Sequence, residues 1–260
     1  MRERLGMIPV EKELTFSLAM WAQTRMNRAF ELRLAEFYDL GNIKFPIYLS
    51  IGQEHIPAAI ATVSHNFKIF AQHRCHSYYL SFGGYPADLL NMIMGGPQGS
   101  ASVNMPGVMF GHSGLMGDQA PIGVGYAMAT GNRTLVVLGD ASIEEDYVFG
   151  AMGYAVTHKL PVLFVCEDND RSILTPVATR RSWSMVDVTN SLGMASVDIT
   201  DDPWLIAYHI ERLLGQLPAL INVRTCRHRW HNGTGSDGEP EWDRYAMIKK
   251  EMECLRLRIR

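Results

Sequence analysis

Two oxygen-bearing side chains, each near the end of an apolar segment, are the residues of this chain whose types and positions most clearly suggest a chemical role. Asp140 follows the apolar run 134–138, and Asn169 comes shortly after a second apolar run, 161–166. The stretch between them, 144–158, has the length of one helix, so the two runs are predicted to be parallel strands. If these strands are neighbours, their ends lie about 5 Å apart.

A carboxylate and an amide oxygen at that separation suit a hard divalent cation. Mg²⁺ prefers oxygen ligands and keeps coordination positions open for phosphate groups. A helix that begins directly after Asp140 would also direct unpaired backbone N–H groups toward the same phosphate. The spacing of Asp140 and Asn169 therefore predicts a site for a metal ion and a diphosphate. The alternative for Asp140 is a simple helix cap.

The elements that must position these residues alternate between helix and strand. Predicted helices cover 11–40, 52–65, 86–94, 118–130, 144–158 and 203–216, and predicted strands cover 67–71, 134–138, 161–166, 195–200 and 219–224. This alternation predicts an α/β fold with a doubly wound parallel sheet, formed as a single domain over 1–260. The segment 225–243 is polar and rich in glycine, so we expect a loop that is mobile when the site is empty.

Ligands of such sheets bind beyond the carboxyl ends of the strands. In addition to Asp140 and Asn169, that edge is predicted to hold Gln72, His73, Arg74, Arg171, His228, Arg229 and His231. It would therefore combine acidic metal ligands with cationic partners for a diphosphate. His228 and His231 could instead form a metal pair, but no third ligand has a suitable spacing.

The composition excludes several classes of protein. A formal net charge of −3 argues against nucleic acid as the main partner. No apolar run approaches the roughly 18 residues that a membrane span requires, so no membrane partner is expected. The N-terminal segment lacks the apolar region of a signal peptide, and the four cysteines form no CxxC pair. We therefore expect a cytoplasmic protein with reduced thiols.

A series of short motifs runs along most of the chain. They are IGQE at 51–54, FAQHR at 70–74, GLMGDQAP at 114–121, GDA at 139–141 and LPVLFVCEDN at 160–169. Together they resemble the α subunit of the thiamine-diphosphate-dependent first component of 2-oxo acid dehydrogenase complexes, of the pyruvate or branched-chain type. Each motif alone is weak, whereas the series in this order is specific. The resemblance implies the thiamine-diphosphate-binding fold, with thiamine diphosphate and Mg²⁺ as cofactors.

The resemblance assigns roles to residues at the predicted edge. Asp140 and Asn169 would bind Mg²⁺ through their side chains, and Arg171 would bind it through its backbone carbonyl. The expected cofactor-binding residues further include Gln72, His73, Arg74, Gly139, Ala141, Ser142 and His231. The backbone at Gly114 and Met116 would contact the aminopyrimidine ring. His231 matches a histidine near the diphosphate and the reacting carbon, which makes it the catalytic candidate.

Some positions depart from the pattern of that family. Asn104, in the segment 102–105, stands where the family has a histidine near its substrate. Gly150 and Gly153 replace a glutamate and an asparagine, and Ala141 replaces a glycine. These departures indicate a specialised relative rather than a typical member.

Three hypotheses for the function follow from the resemblance. The first is the α-like half of an enzyme that cleaves a 2-oxo acid or related ketone and transfers the acyl unit to a carrier, such as a lipoyl domain or an acyl-carrier protein. The second is a transketolase-like transfer of a two-carbon ketol unit from a sugar phosphate to a carrier protein, which Asn104 favours. The third is a non-catalytic supporting subunit. A nicotinamide site is disfavoured, because no GxGxxG motif opens a helix after a strand.

The resemblance also implies a partner chain. In the family, a glutamate that assists proton removal from the cofactor belongs to a second, pyrimidine-binding domain. No second sheet domain fits into 260 residues beside the predicted one. We therefore expect a separate β-like subunit, in an assembly of two α and two β chains, and a small-molecule substrate in the shared site.

Overall fold

A parallel β-sheet forms the centre of the molecule. The computed structural model describes residues 10–95, 103–111 and 114–259. Its strands are β1 (Lys68–Phe70), β2 (Met109–Phe110), β3 (Thr134–Gly139), β4 (Val162–Asp168), β5 (Arg171–Ser172), β6 (Thr175–Pro176), β7 (Ala195–Thr200) and β8 (Ala219–Arg224). One six-stranded sheet has the order β2–β1–β3–β4–β8–β7 with parallel pairing, whereas β5 and β6 form an antiparallel hairpin. The predicted α/β fold is confirmed.

Helices connect the strands and cover the sheet. They are α1 (Val10–Asp39), α2 (His55–Val63), α3 (His76–Ser81), α4 (Pro86–Met94), α5 (Gln119–Thr130), α6 (Asp146–Thr157), α7 (Val177–Arg180), α8 (Met185–Ser191), α9 (Pro203–Leu213) and α10 (Arg244–Ile259). The helices predicted over 11–40, 86–94 and 118–130 agree with α1, α4 and α5 to within one residue. No helix in the described ranges is long and apolar enough to cross a lipid bilayer.

Side chains of the central strands alternate between two hydrophobic clusters. Leu135 and Val137 of β3 belong to the larger cluster, which includes residues of α1, α2 and α9. Val136 and Leu138 belong to the second cluster, together with residues of α5 and α6. Because both faces of the strand are buried, its sequence is a continuous apolar run rather than an alternating one. This arrangement is the doubly wound architecture predicted from the sequence.

The two strands that carry the predicted metal ligands are neighbours. β3 and β4 pair in parallel, with Gly139 opposite Glu167. Asp140 and Asn169 therefore emerge at the same edge of the sheet, as predicted. β4 is longer than the predicted strand 161–166, because Glu167 and Asp168 continue the pairing with β8.

Two predicted helix starts are wrong. The turn 51–54 precedes α2, and Gly52 adopts a φ of +102° there; a Cβ at this position would lie 2.3 Å from the carbonyl oxygen of Cys226. The helix predicted over 144–158 begins only at Asp146, because Ser142–Glu144 forms a 3₁₀ turn. The backbone next to Asp140 is therefore a tight turn rather than the first turn of an α-helix.

Several short elements were not predicted from the sequence. They are β2, the β5–β6 hairpin, α3, α7 and α8. Each has seven residues or fewer, so no hydrophobic period can develop along it. The four cysteines are free thiols, as predicted. Ser102, at the start of the segment 102–105, lies outside the described residues.

Candidate active site at the carboxyl edge of the sheet

A cavity of about 350 Å³ lies at the carboxyl-terminal edge of β1, β3 and β4. Its wall includes every residue predicted to hold the cofactor or the metal: Gln72, His73, Arg74, Gly114, Met116, Gly139, Asp140, Ala141, Ser142, Asn169, Arg171 and His231. Its remaining lining residues were not predicted from the sequence: Tyr48, Leu115, Gln119, Ser172, Ile173 and Arg227. The structure thus brings the predicted residues together, whereas their contacts with a ligand remain predictions.

Asp140 is a buried carboxylate that already has a cationic partner. Its Oδ2 accepts a hydrogen bond from Nη2 of Arg180 at 2.5 Å, and its backbone carbonyl accepts one from Arg181 at 3.0 Å. Both arginines also pair with Glu144. Burial raises the pKa of the Asp140 carboxyl, against the opposing effect of Arg180. The surroundings of Asp140 thus favour a positive charge beside this carboxylate.

Asn169 presents an oxygen without a partner. Its Nδ2 donates to Oε1 of Gln53 at 3.1 Å, whereas its Oδ1 is buried and has no hydrogen bond. A buried acceptor without a donor costs about 1–3 kcal/mol, so this oxygen is suited to a ligand that it can bind. Together with Asp140 and the backbone of Arg171, it forms an oxygen donor set of the kind that Mg²⁺ prefers. Asp140, Asn169 and the backbone of Arg171 therefore fit the expected Mg²⁺.

Gln72 and the turn after β3 form the wall beside Asp140. Ser142 Oγ donates to Oε1 of Gln72 at 3.1 Å and accepts from the backbone N–H of Gly139 at 2.8 Å. A Cβ on Gly139 would lie only 3.0 Å from Nε2 of Gln72, so this close approach requires glycine or a shift of Gln72. Ala141 begins the same turn. The packing fixes the Gln72 amide at the edge of the cavity.

Three aromatic rings pack together on another part of the wall. The ring centroids of Tyr48 and His73 are 4.1 Å apart, and His231 lies 5.3 Å from Tyr48 and 5.4 Å from His73. Burial, with the charges of Arg74 and Arg227, lowers the pKa of His231 to about 4. The His231 ring is therefore neutral at pH 7 and can accept a hydrogen bond.

Two buried arginines hold the residues around His231. Arg74 donates to the carbonyl of Leu49 and, through Nη2, to the carbonyl of His231 at 3.2 Å. Burial and the charge of Arg227 lower the pKa of Arg74 to about 10, so its guanidinium remains charged at neutral pH. Arg227 pairs with Asp237 at 2.6 Å and donates to the carbonyl of Ile173. This contact joins the loop after β8 to the β5–β6 hairpin.

Arg227 was missed because the sequence reasoning singled out its neighbours. His228 Nε2 lies 3.1 Å from the carbonyl of Trp242, and Arg229 donates to the carbonyl of Thr234, so both take part in contacts of the loop itself. Neither residue lines the cavity. Within the described ranges, no three His, Cys, Asp or Glu side chains are grouped so that they could hold a metal, which removes the basis for a His228–His231 metal pair.

Asp201 holds both ends of the loop that carries His231. Its carboxylate accepts from Thr225 at 3.0 Å, from Trp242 at 3.1 Å and from Arg244 at 2.8 Å. Burial acts to raise the pKa of Asp201, but His55, Arg244 and Trp242 lower it well below its usual range. The loop 225–243 is thus attached at both ends to one ionised carboxylate. Its predicted mobility between these ends stays a prediction.

A buried polar network connects to the side chain of Asn169 through Gln53. Glu167 accepts from the hydroxyl of Tyr78 at 3.0 Å and from Nε2 of Gln53 at 3.1 Å. Burial raises the pKa of Glu167 to about 7, although the hydrogen bond of Tyr78 and the charge of Arg74 act to lower it. Gln53 and Glu167 lie in the sequence motifs 51–54 and 160–169, but no role was predicted for either residue.

Comparison with known sequences identifies relatives that match most of the chain. The family model of the dehydrogenase E1 component matches residues 22–247. The pyruvate dehydrogenase E1 component subunit alpha of Rickettsia felis is 28% identical over 228 residues, which cover 79% of this chain and 69% of that protein. The corresponding subunit of Zymomonas mobilis is 26% identical over 247 residues, which cover 83% of this chain and 67% of that protein.

Solved structures share the fold at lower sequence identity. Transketolase from Campylobacter jejuni has a TM-score of 0.65 and 17% identity, covering 81% of this chain and 38% of that one. A transketolase variant from Pichia stipitis has a TM-score of 0.64 and 18% identity, covering 84% of this chain and 38% of that one. This chain therefore spans less than two fifths of the length of these transketolases. The likeness supports the thiamine-diphosphate-binding fold.

Proposed function

The chain belongs to the dehydrogenase E1 component family, and from that membership we propose that it is the α-type half of a two-chain thiamine-diphosphate enzyme. The proposed enzyme cleaves a 2-oxo acid or a related ketone and transfers the acyl unit to a carrier. One observation supports this most directly: Asp140 and the unpartnered oxygen of Asn169 share one cavity wall with the buried, charged Arg74. A diphosphate that is bound with a divalent cation requires this combination of charges.

Specific residues would hold the cofactor. Asp140, Asn169 and the backbone carbonyl of Arg171 would bind Mg²⁺, and Gln72 and Arg74 would bind the diphosphate. The backbone at Gly114 and Met116 would receive the pyrimidine ring. Met116 suits this role because its side chain is 42% exposed rather than part of the core. When bound, thiamine diphosphate supplies a carbon nucleophile that also accepts electrons from the breaking carbon–carbon bond.

His231 is the proposed catalytic residue. Its low pKa keeps the ring neutral at pH 7, so a ring nitrogen can accept a proton from a substrate hydroxyl or position that hydroxyl by a hydrogen bond. Tyr48 and His73 restrict the ring by packing, and Arg74 restricts the backbone through the His231 carbonyl. The protein thus presents a preorganised, neutral imidazole to the cavity.

The apolar surface beside the cavity supports a partner chain. Leu115, at the mouth, is 62% exposed, and Ile122, in the first turns of α5, is 55% exposed. Exposed apolar groups that cluster at a cavity mouth are typical of an interaction surface. We propose that a β-like, pyrimidine-binding subunit covers this surface in an assembly of two α and two β chains. A lipoyl domain or an acyl-carrier protein is the proposed acceptor.

One alternative has support from specific residues. Arg74, Arg171 and Arg227 all line the cavity, and three arginines suit a donor that carries its own phosphate. Asn104 also departs from the family pattern near the substrate. A transketolase-like enzyme that moves a two-carbon ketol unit from a sugar phosphate to a carrier protein would use such a site. An assay of the chain reconstituted with its β-like partner distinguishes the two activities. It compares the turnover of a pyruvate-like acid with the turnover of a ketose phosphate.

We expect the chain to bind thiamine diphosphate only when a divalent cation is present. Titration of the cofactor into the chain, followed by calorimetry with Mg²⁺ and again with excess chelator, measures this dependence. Saturable binding with Mg²⁺ and at least about tenfold weaker binding without it is the expected result, because the metal joins the diphosphate to Asp140 and Asn169. If neither the chain nor its complex with the β-like partner binds the cofactor, a non-catalytic supporting subunit is favoured.

We expect His231→Gln to lower kcat of the reconstituted enzyme by about a hundredfold or more, the usual contribution of a positioned acid–base group. Cofactor affinity should change by less than about threefold, since the substitution leaves the metal corner intact. His228→Gln is the matched control: it lies in the same loop but does not line the cavity, and its kcat should remain near that of wild type. Equal losses in both variants would assign the effect to the loop rather than to His231.

A further inference from the structure

We infer that Glu167 and Gln53 are positioning residues that set the orientation of the Asn169 amide, so that its oxygen rather than its nitrogen faces the metal. We refer to Glu167, Gln53 and Asn169 as the amide relay. The inference rests on the proposed metal site and assigns to it two residues that do not themselves line the cavity. The relay acts through hydrogen bonds and touches neither substrate nor cofactor.

The relay is a continuous chain of two hydrogen bonds in the interior. Nε2 of Gln53 donates to Oε2 of Glu167 at 3.1 Å, and Nδ2 of Asn169 donates to Oε1 of Gln53 at 3.1 Å. The Gln53 side chain is 1% exposed and Glu167 is 3% exposed. Solvent therefore cannot replace either bond, and each polar atom depends on its partner within the relay.

The chemistry of the three groups permits one orientation of each amide. In its ionised form Glu167 only accepts hydrogen bonds, so the NH₂ group of Gln53 must face the Glu167 carboxylate. The Gln53 oxygen then faces the opposite way and requires a donor, which the NH₂ group of Asn169 supplies. Reversal of either amide would bring two acceptors or two donors together. Glu167 thus determines the orientation of the Asn169 amide through Gln53.

Glu167, at one end of the relay, and Gln53, in its middle, are both held in place. The hydroxyl of Tyr78 donates to Oε1 of Glu167, which leaves Oε2 for Gln53. Gln53 lies in the turn that contains Gly52, and its backbone N–H donates to the carbonyl of Ser50 at 2.8 Å. Gly52 is confined by the backbone of Cys226, so the turn cannot shift freely. A rigid backbone therefore supports the side chain in the middle of the relay.

The oxygen at the end of the relay distinguishes a positioning role from a purely structural one. A network that served only to satisfy buried polar groups would leave no acceptor without a donor. Here the last acceptor, Oδ1 of Asn169, is buried and has no hydrogen bond. The relay uses the Asn169 nitrogen and leaves the oxygen free for a cation.

Titration of Mg²⁺ into the full chain, with thiamine diphosphate present throughout at a fixed excess, tests the relay. Glu167→Gln keeps the shape but offers either an oxygen or an NH₂ group to Gln53, so the orientation is no longer imposed. We expect its Mg²⁺ affinity to fall at least about tenfold, as is usual for outer groups that orient metal ligands. Glu31→Gln is the matched control, since it makes the same carboxylate-to-amide change at another buried glutamate, which accepts from the hydroxyl of Ser50 and does not line the cavity. Its Mg²⁺ affinity should change by less than about twofold.

A second pair of variants tests orientation by reversing it. Asn169→Asp replaces the last amide by a carboxylate, which places an acceptor against the Gln53 oxygen. Adding Glu167→Gln to that variant lets Gln53 turn over and donate to the new carboxylate. Glu167→Gln should therefore weaken Mg²⁺ binding in the wild-type chain and strengthen it in the Asn169→Asp chain. A purely structural role for Glu167 predicts no such change of sign.

The outcomes separate the relay from the proposed function. If wild type binds no Mg²⁺, alone or with its β-like partner, the proposed function and the relay are both overturned. If wild type binds Mg²⁺ and Glu167→Gln binds it equally well, only the relay is overturned. Equal losses in Glu167→Gln and Glu31→Gln, or a loss with Glu167→Gln in both backgrounds, would also overturn it.

Discussion

Asp140→Ala is expected to lower the affinity for thiamine diphosphate with Mg²⁺ at least about a thousandfold, equivalent to about 4 kcal/mol, and to remove measurable turnover. Asp140 would be the one charged ligand of the metal, since Asn169 and the carbonyl of Arg171 are neutral. Its loss would also leave Arg180 and Arg181 to share Glu144, with an excess of positive charge beside the proposed metal position. Calorimetric titration of the cofactor in the presence of Mg²⁺ measures the change directly.

The loss should not result from unfolding. Burial raises the pKa of Asp140, which means that the folded state disfavours the charged form relative to the unfolded chain. At neutral pH the ionised carboxylate therefore adds nothing to stability through this shift, and thermal melting of the variant and of wild type without cofactor separates lost binding from unfolding. Asp146→Ala is the control, because Asp146 is an exposed carboxylate at the start of α6. Binding by Asp140→Ala that equals binding by the control would contradict the proposed metal site.

The emergence of Asp140 and Asn169 at one edge of the sheet was predictable because it depends on backbone geometry alone. Apolar runs on both sides of a helix-length segment predict adjacent parallel strands, and parallel strands end at the same edge. The register of Gly139 opposite Glu167 then places Asp140 near Asn169. The prediction of adjacent strands requires no knowledge of side-chain conformations, which explains why it agrees with the structure.

The partners of these residues could not be predicted in the same way. Arg180 reaches Asp140 from α7, a helix of four residues without a sequence pattern, and Asp201 joins Thr225 to Trp242 across the loop. These contacts depend on tertiary packing between distant segments. The helix predicted directly after Asp140 failed for a related reason: Ser142 bonds back to Gly139, which favours a tight turn over an α-helix.

The isolated chain is expected to show no turnover, and addition of its β-like partner is expected to produce it. The proposed site would receive the diphosphate and the metal, whereas the glutamate that the resemblance assigns to proton removal would belong to the proposed pyrimidine-binding partner. The assay compares the chain alone, the partner alone and the two together, with the same cofactor and substrate. Turnover by the chain alone at the rate of the mixture would contradict this prediction.

Surface variants locate the contact with the partner. α5 begins beside the cavity, where Gln119 lines the wall, so Ile122 lies at the carboxyl edge of the sheet. A charge at this exposed apolar position should prevent association, because it would have to be buried without a counterion. Ile122→Asp should therefore abolish reconstituted turnover while it retains cofactor binding by the chain. Leu192→Asp is the matched control, because Leu192 lies just before β7 at the opposite edge and is also exposed. Association that survives Ile122→Asp and fails with Leu192→Asp would place the partner on the other edge, away from the cavity.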